Sequence, residues 1–134
     1  MRRSHTIIIQ IECPLEASYR FLADPRNYAE WAAVDKQSYH QLENGDWAGE
    51  TTFGFRHFRF TSPNPFGVLD HAVFFPGEPL LYTPMRVIAN EDGTELHFTF
   101  FQRPGMSEEQ FVSAIEWITT DFLTLKSLLE ATCR

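Results

Sequence analysis

The chain has 134 residues, a length suited to one domain, and its 43% hydrophobic and 22% charged residues are those of an ordinary globular sequence. Eleven Lys and Arg against eighteen Asp and Glu give a formal charge of −7, which argues against the basic stripe of a nucleic-acid binder. No apolar run reaches the roughly 20 residues needed to span a bilayer, so membrane insertion is not expected either.

Residues 6–12 alternate as a strand, with Ile7, Ile9 and Ile11 on one face. Cys13-Pro14 ends the strand and opens a short helix with Leu15, Tyr19 and Leu22 on its apolar side, since proline is tolerated at the first helical position. Asp24-Pro25 repeats the device, with Asp24 as N-cap, and launches a second short helix through Tyr28 and Trp31. From Ser38 onward, strands are expected over residues 38–43, 47–53, 55–61, 68–75, 82–89 and 94–103. Asn44-Gly45 reads as a type I′ turn between the first two, while Pro76-Gly77-Glu78-Pro79 and Asp92-Gly93 mark later turns. Pro104-Gly105 stops the last strand. Ser107 and Gln110 then form a capping box for a helix running to about Ala131. Its residues Phe111, Ile115, Ile118, Phe122, Leu125 and Leu129 fall in one stripe. About 24 residues make a helix roughly 36 Å long, so a sheet must lie along it.

The order is one strand, two short helices, six strands and one long helix. With Cys13-Pro14-Leu15-Glu16-Ala17 leading to Asp24-Pro25 and Trp31, it resembles the START-like or SRPBCC superfamily over the whole chain, and within it the polyketide cyclase/dehydrase-like branch. The resemblance implies a single α+β domain over residues 1–134. Its fold would be helix-grip, a seven-stranded curved antiparallel sheet wrapped around the C-terminal helix, with an apolar cavity between them. It also implies small hydrophobic ligands.

Register arithmetic supplies candidate site residues. With Asp92-Gly93 as a two-residue turn, Met85 faces Phe100, Val87 faces Phe98 and Ala89 faces Leu96, an apolar face expected to look inward. Carried across the preceding turn, the same counting points Asp70 and Phe74 inward, and a one-residue change exchanges Asp70 for His71. Arg59 is the natural partner of Asp70 across a turn centred on Asn64-Pro65. That register also turns His57 inward, whereas the apolar Phe58 and Phe60 favour the opposite face. Two readings follow. Asp70 and Arg59 form an outer-surface ion pair of little energetic worth, or they line the cavity. In the second case Arg59 binds a carbonyl or enolate oxygen, and Asp70 or His71 moves a proton.

Trp47, His57, Phe74 and Tyr82 are expected as ligand contacts on the sheet, beside Met85, Val87, Phe98 and Phe100. Phe111, Ile115, Ile118 and Phe122 form the helical roof. Trp117 and Asp121 lie one turn apart beside that stripe, and Trp117 reads first as packing and second as a ligand platform. Thirteen Phe, three Trp and four Tyr fit either a Phe-rich core or an aromatic-lined pocket. The five His lack metal-ligand spacing, and no phosphate-binding loop or nucleophile elbow is present, so neither a metal nor a cofactor is expected. Cys13 and Cys133 offer no disulfide framework, and residues 6–11 are too short for a signal-peptide core, so the cytoplasm is the expected compartment. The first functional expectation is a carrier or sequestering protein for a small hydrophobic molecule. An enzyme resembling the polyketide cyclases is the second, and an interaction module resembling heat-shock ATPase activators is the third. A homodimer stays open as an assembly state.

Overall fold

The computed structural model describes residues 1–133. Strand β1 (Ser4–Ile11) leads into α1 (Leu15–Leu22), a 3-10 turn (Pro25–Asn27) and α2 (Tyr28–Trp31). Asp24 caps the 3-10 turn by accepting from the Arg26 amide, as its position before Pro25 predicts. Strands β2 (His40–Gln41), β3 (Trp47–Thr51), β4 (Gly54–Phe60), β5 (His71–Phe74), β6 (Tyr82–Thr83), β7 (Met85–Asn90) and β8 (Gly93–Phe101) follow, and α3 (Glu108–Thr132) closes the chain. The capping box of α3 forms in full: Ser107 and Gln110 each accept from the other's backbone amide.

There are eight strands where seven were expected, and Pro84 is the reason. It carries no amide hydrogen and so interrupts the ladder, dividing the expected strand at residues 82–89 into β6 and β7. Strand β6 completes one sheet in the order β2-β3-β4-β5-β6, and β7 completes another in the order β1-β8-β7. Backbone bonds from Leu69 N–H to Met85 O (2.8 Å) and from Val87 N–H to Gly67 O (3.0 Å) lace the two sheets together beside the break. Counted across that break, they form one curved antiparallel surface.

Two turns depart from the simple hairpin reading. Asn44 is not left-handed, and only Gly45 of that pair takes a positive φ. Asn44 instead uses its side-chain amide to hold Asp46, accepting from its backbone N–H at 3.0 Å and donating to its carboxylate at 3.1 Å. The later turn centres on Glu91-Asp92, since Asn90 pairs with Gly93 and Glu91 takes φ 54°.

The α3 stripe divides its work along the sheet. Phe111, Phe122, Leu125 and Leu129 are buried with Ile7, Ile11, Leu96 and Val87, so the core fills the space between α3 and the three-stranded sheet. Packing of α3 falls on β1 and α2. The five-stranded sheet curves away from the helix and leaves room. At the far end, Cys133 meets Cys13 in a disulfide with the Cα atoms 5.5 Å apart, which corrects the expectation drawn from their distance in sequence.

Two stability predictions follow from these joints. The disulfide closes a loop of 120 residues, so reducing it should lower unfolding stability by about 2–4 kcal/mol in denaturant titrations run with and without dithiothreitol. Gly67 has φ +71°, and a Cβ there would stand 2.3 Å from the Val87 carbonyl oxygen. Gly67→Ala should therefore cost about 2 kcal/mol or more, read as a lower denaturant midpoint at unchanged slope.

Candidate functional site

Between the five-stranded sheet and α3 lies a cavity of about 980 Å³. Its sheet wall is made by Phe58 and Val73 with Phe98 and Phe100 beyond them, and its helix wall by Ala114, Trp117, Ile118, Asp121 and Phe122. Trp31 and Tyr28 of α2 close one side. The wall on α3 thus lies beside the packing stripe and overlaps it at Ile118 and Phe122, because residues four apart share a face.

Strand parity decides which polar groups enter. On β5, His71 pairs with Thr83, so the turn between β5 and β6 differs by one residue from the symmetric expectation. His71 therefore faces inward and is buried. Asp70 faces the outer side, where its carboxylate accepts from Arg86 and, at 2.8 Å, from the Met85 amide. Arg59 pairs across the sheet with Ala72 rather than Asp70. Its guanidinium forms a two-point bond with Asp46 at 2.8 Å and 2.8 Å, and this partner holds the Asp46 carboxyl below its ordinary range. The expected Asp70–Arg59 pair is thus absent, and each residue has a different partner on the sheet exterior.

The other expected contacts divide. His57 lies outward, edge-on to Phe55 and Phe74, because Phe58 on the same strand takes the interior position. Tyr82, paired with Ala72, is exposed and borders a smaller cleft with Leu80, Leu81 and Arg103. Trp47 stacks on Tyr39 (4.8 Å, 20°) away from the cavity lining. Met85 and Val87 are solid core, as is Phe111, which stacks on Phe100 (5.7 Å, 25°); Ile115 packs against the same core. Phe98, Phe100, Ile118 and Phe122 do line the cavity, whereas Phe74, paired with His57 and in ring contact with it, turns its side chain to the outer face. The β7–β8 register sets Met85 against Phe98 and Val87 against Leu96, two residues from the expected pairing. A shift of two preserves the face, so the inward assignment of these residues holds.

Three polar groups converge at the inner end. Tyr28 sits in a ring of aromatics, 5.2 Å from Trp31, 5.3 Å from Phe58 and 5.7 Å from His71. Burial, and then the charge of Asp121, hold its phenol protonated well above the ordinary range. His71 Nδ1 lies 3.2 Å from the Leu69 carbonyl. A carbonyl only accepts, so Nδ1 carries the proton, and burial pushes the imidazole below its usual range and keeps it neutral. Among the described residues no fully buried polar side-chain atom lacks a partner. His71 Nε2 has none among these residues, so it is reached from the cavity that His71 lines.

Asp121 is the third group. One carboxylate oxygen accepts from the Ala33 amide at 3.3 Å. Burial pushes its pKa up to about 6, against which the Ala33 bond acts in the lowering direction. Sequence spacing placed Asp121 and Trp117 beside the stripe, but their cavity role depended on the sheet curving away. Among the described residues no cluster of His, Cys, Asp and Glu is arranged to hold a metal.

The raised Asp121 pKa has a defined sign. The folded state binds the proton more tightly than the unfolded chain, whose ordinary value is 3.8, so the folded state loses stability as pH rises through about 6. Asp121→Asn removes that loss while keeping an acceptor for Ala33. After discounting for solvent screening the gain should be roughly 1 kcal/mol at pH 8 and near zero at pH 4, measured as the change in Tm at each pH.

No family model matches the chain, and no curated protein is similar to it. Solved structures are similar over nearly its whole length. XoxI from Bacillus cereus is 12% identical over 94% of each chain, with a TM-score of 0.74. The Aha1 dimer from Colwellia psychrerythraea is 16% identical over 96% of each, with a TM-score of 0.71. A START superfamily protein from Mycobacterium smegmatis is 10% identical, covers 98% of this chain and 99% of its own, and gives 0.70. At these identities the likeness is one of fold. The chain has the helix-grip fold of the START-like, SRPBCC-type superfamily.

Proposed function

We propose that this protein binds a small, largely apolar molecule in the space between the five-stranded sheet and α3, acting as a carrier or a sequestering protein. The observation that carries this reading is the cavity itself. Its volume of about 980 Å³ lies at the upper end of the range that encloses drug-sized ligands, and an aromatic wall with a few placed polar groups is the usual composition of such sites. Phe53, Phe75 and Trp117 stand exposed at its border, where an entering apolar ligand would meet them first.

A second reading, an enzyme resembling the polyketide cyclases, is favoured by one feature. His71 presents an unprotonated Nε2 to the cavity while Nδ1 is held by Leu69, the state required of a general base. Asp70 and Arg59, on the outer face, would support such chemistry only through the sheet. Turnover of an identified substrate that disappears in His71→Gln while binding persists would separate enzyme from carrier.

The carrier reading is tested by filling the cavity. Val73→Phe and Ala114→Phe each place a ring where the wild-type chain has space. Each should weaken binding of an uncharged apolar fluorescent dye such as Nile red at least about tenfold. Melting should stay cooperative. Mass spectrometry of the natively purified wild-type protein should show a small molecule that the filled variants lack. Unchanged dye affinity in both variants would sink the reading.

A further inference from the structure

Two of the three polar groups at the inner end of the cavity can only accept. His71 offers an unprotonated Nε2, and Asp121 offers a carboxylate with only the Ala33 amide against it. Tyr28 has the only hydroxyl of the three and can either donate or accept. Among the described residues no arginine, lysine or histidine offsets the charge of Asp121, whose shift comes from burial acting against the Ala33 bond. A carboxylate withdrawn from water in this way needs a cation or a strong donor to offset its desolvation.

Aromatic faces surround the same point. Trp117 lies one helical turn before Asp121, so their side chains are neighbours. Trp31 stacks on Phe122, the next residue of the helix (5.4 Å, 22°), and Tyr28 meets Trp31 edge-on. A carboxylate beside indole and phenol rings suits an ammonium group, which gains from both the charge and the negative ring faces.

The other charged groups lining the cavity are Arg56, Arg103, Glu78 and Glu109. Arg56 is engaged, with its guanidinium 3.6 Å from the centre of the Phe75 ring and a 3.0 Å bond to the Phe55 carbonyl. Arg103 precedes α3, whose axis runs about 21 Å from the Ser107 cap to Asp121 at 1.5 Å per residue. Burial holds Arg103 below the usual range of a guanidinium, and the charge of nearby Glu78 acts against that shift. The net charge of −7 adds a general attraction for cations.

We propose that the ligand of this cavity is a hydrophobic amine, bound as its ammonium ion with Asp121 as counter-ion, the rings of Trp117 and Tyr28 beside it, and the apolar body against Phe58, Val73 and Phe98. The proposal rests on the reading of the cavity as a binding site and names its ligand class. A hydrophobic carboxylate is disfavoured by the same groups, because only the Tyr28 hydroxyl could donate to it and Asp121 is a like charge.

Three probes with one apolar body test it: 2-naphthylmethylamine, 2-naphthalenemethanol and 2-naphthoic acid, each titrated calorimetrically into the full chain at pH 7.5. The amine should bind at least about tenfold more tightly than the alcohol, the gain of a charge-assisted bond, and the acid most weakly. Asp121→Asn should bring the amine-to-alcohol ratio within about twofold of unity, whereas Asp121→Glu should retain a preference for the amine. The Glu variant guards against a loss that reflects misfolding. Equal binding of amine and alcohol, or a ratio unchanged in Asp121→Asn, would overturn the amine while leaving the cavity reading intact. Failure of all three probes to bind the wild-type chain would remove both.

Discussion

A straight helix can press only one stripe against a curved sheet, and the architecture of this protein depends on that mismatch. The stripe from Phe111 to Leu129 is satisfied by β1, β8 and β7, which hold close to α3 and bury Leu96, Phe98 and Ile11 with it. The neighbouring residues of the same helix, Ala114, Trp117 and Asp121, turn toward strands that have already curved away. Burial of the first stripe supplies most of the packing stability. It leaves the second free to face a space. Had the sheet been flat, Trp117 and Asp121 would face packed side chains, and a carboxylate there would be untenable.

The break at Pro84 is the second consequence of that curvature. One strand has to serve two parts of the sheet with different directions, and a residue without an amide hydrogen is where the ladder can change course. Gly67 then allows the chain to approach Val87 so closely that no side chain fits. Asp70 seals the same seam from outside by accepting from the Met85 amide. Asp70 thus serves the joint between the sheets, where its carboxylate also meets Arg86.

Much of this was legible in the sequence where the signals are local or keep the right parity. The capping box at Ser107, the Asp24 cap, the α3 stripe and the inward face of Met85, Val87, Phe98 and Phe100 were all readable, and the last survived a register displaced by two. What failed was arithmetic that needed an odd or even answer across a long turn. The β5–β6 connection shifted by one residue and exchanged Asp70 for His71, whereas the β4–β5 connection slipped by two, which kept Arg59 and Asp70 on one face but set Arg59 opposite Ala72. Arg59 found Asp46 instead, which no pairwise strand count between β4 and β5 contains. The Cys13–Cys133 bond was hidden for a related reason. Ends that are remote in sequence meet only because α3 returns along the sheet to the exit of β1.

Asp121 joins these points. A carboxylate raised to about pKa 6 by burial weakens the fold at neutral pH, and an amide of the same shape would remove that cost. A protein selected for stability alone has little reason to keep it there. Nor does the carboxylate act as a structural clamp, since its hydrogen bond among the described residues comes from one backbone amide at 3.3 Å. The neutral imidazole of His71, held through Nδ1 by Leu69, and the protonated phenol of Tyr28 show the same pattern, each with a polar atom left over at the wall of an apolar space. Their hydrogen-bonding capacity is directed at the cavity. A guest that donates protons and carries positive charge is the one that would restore to Asp121 what burial has taken from it.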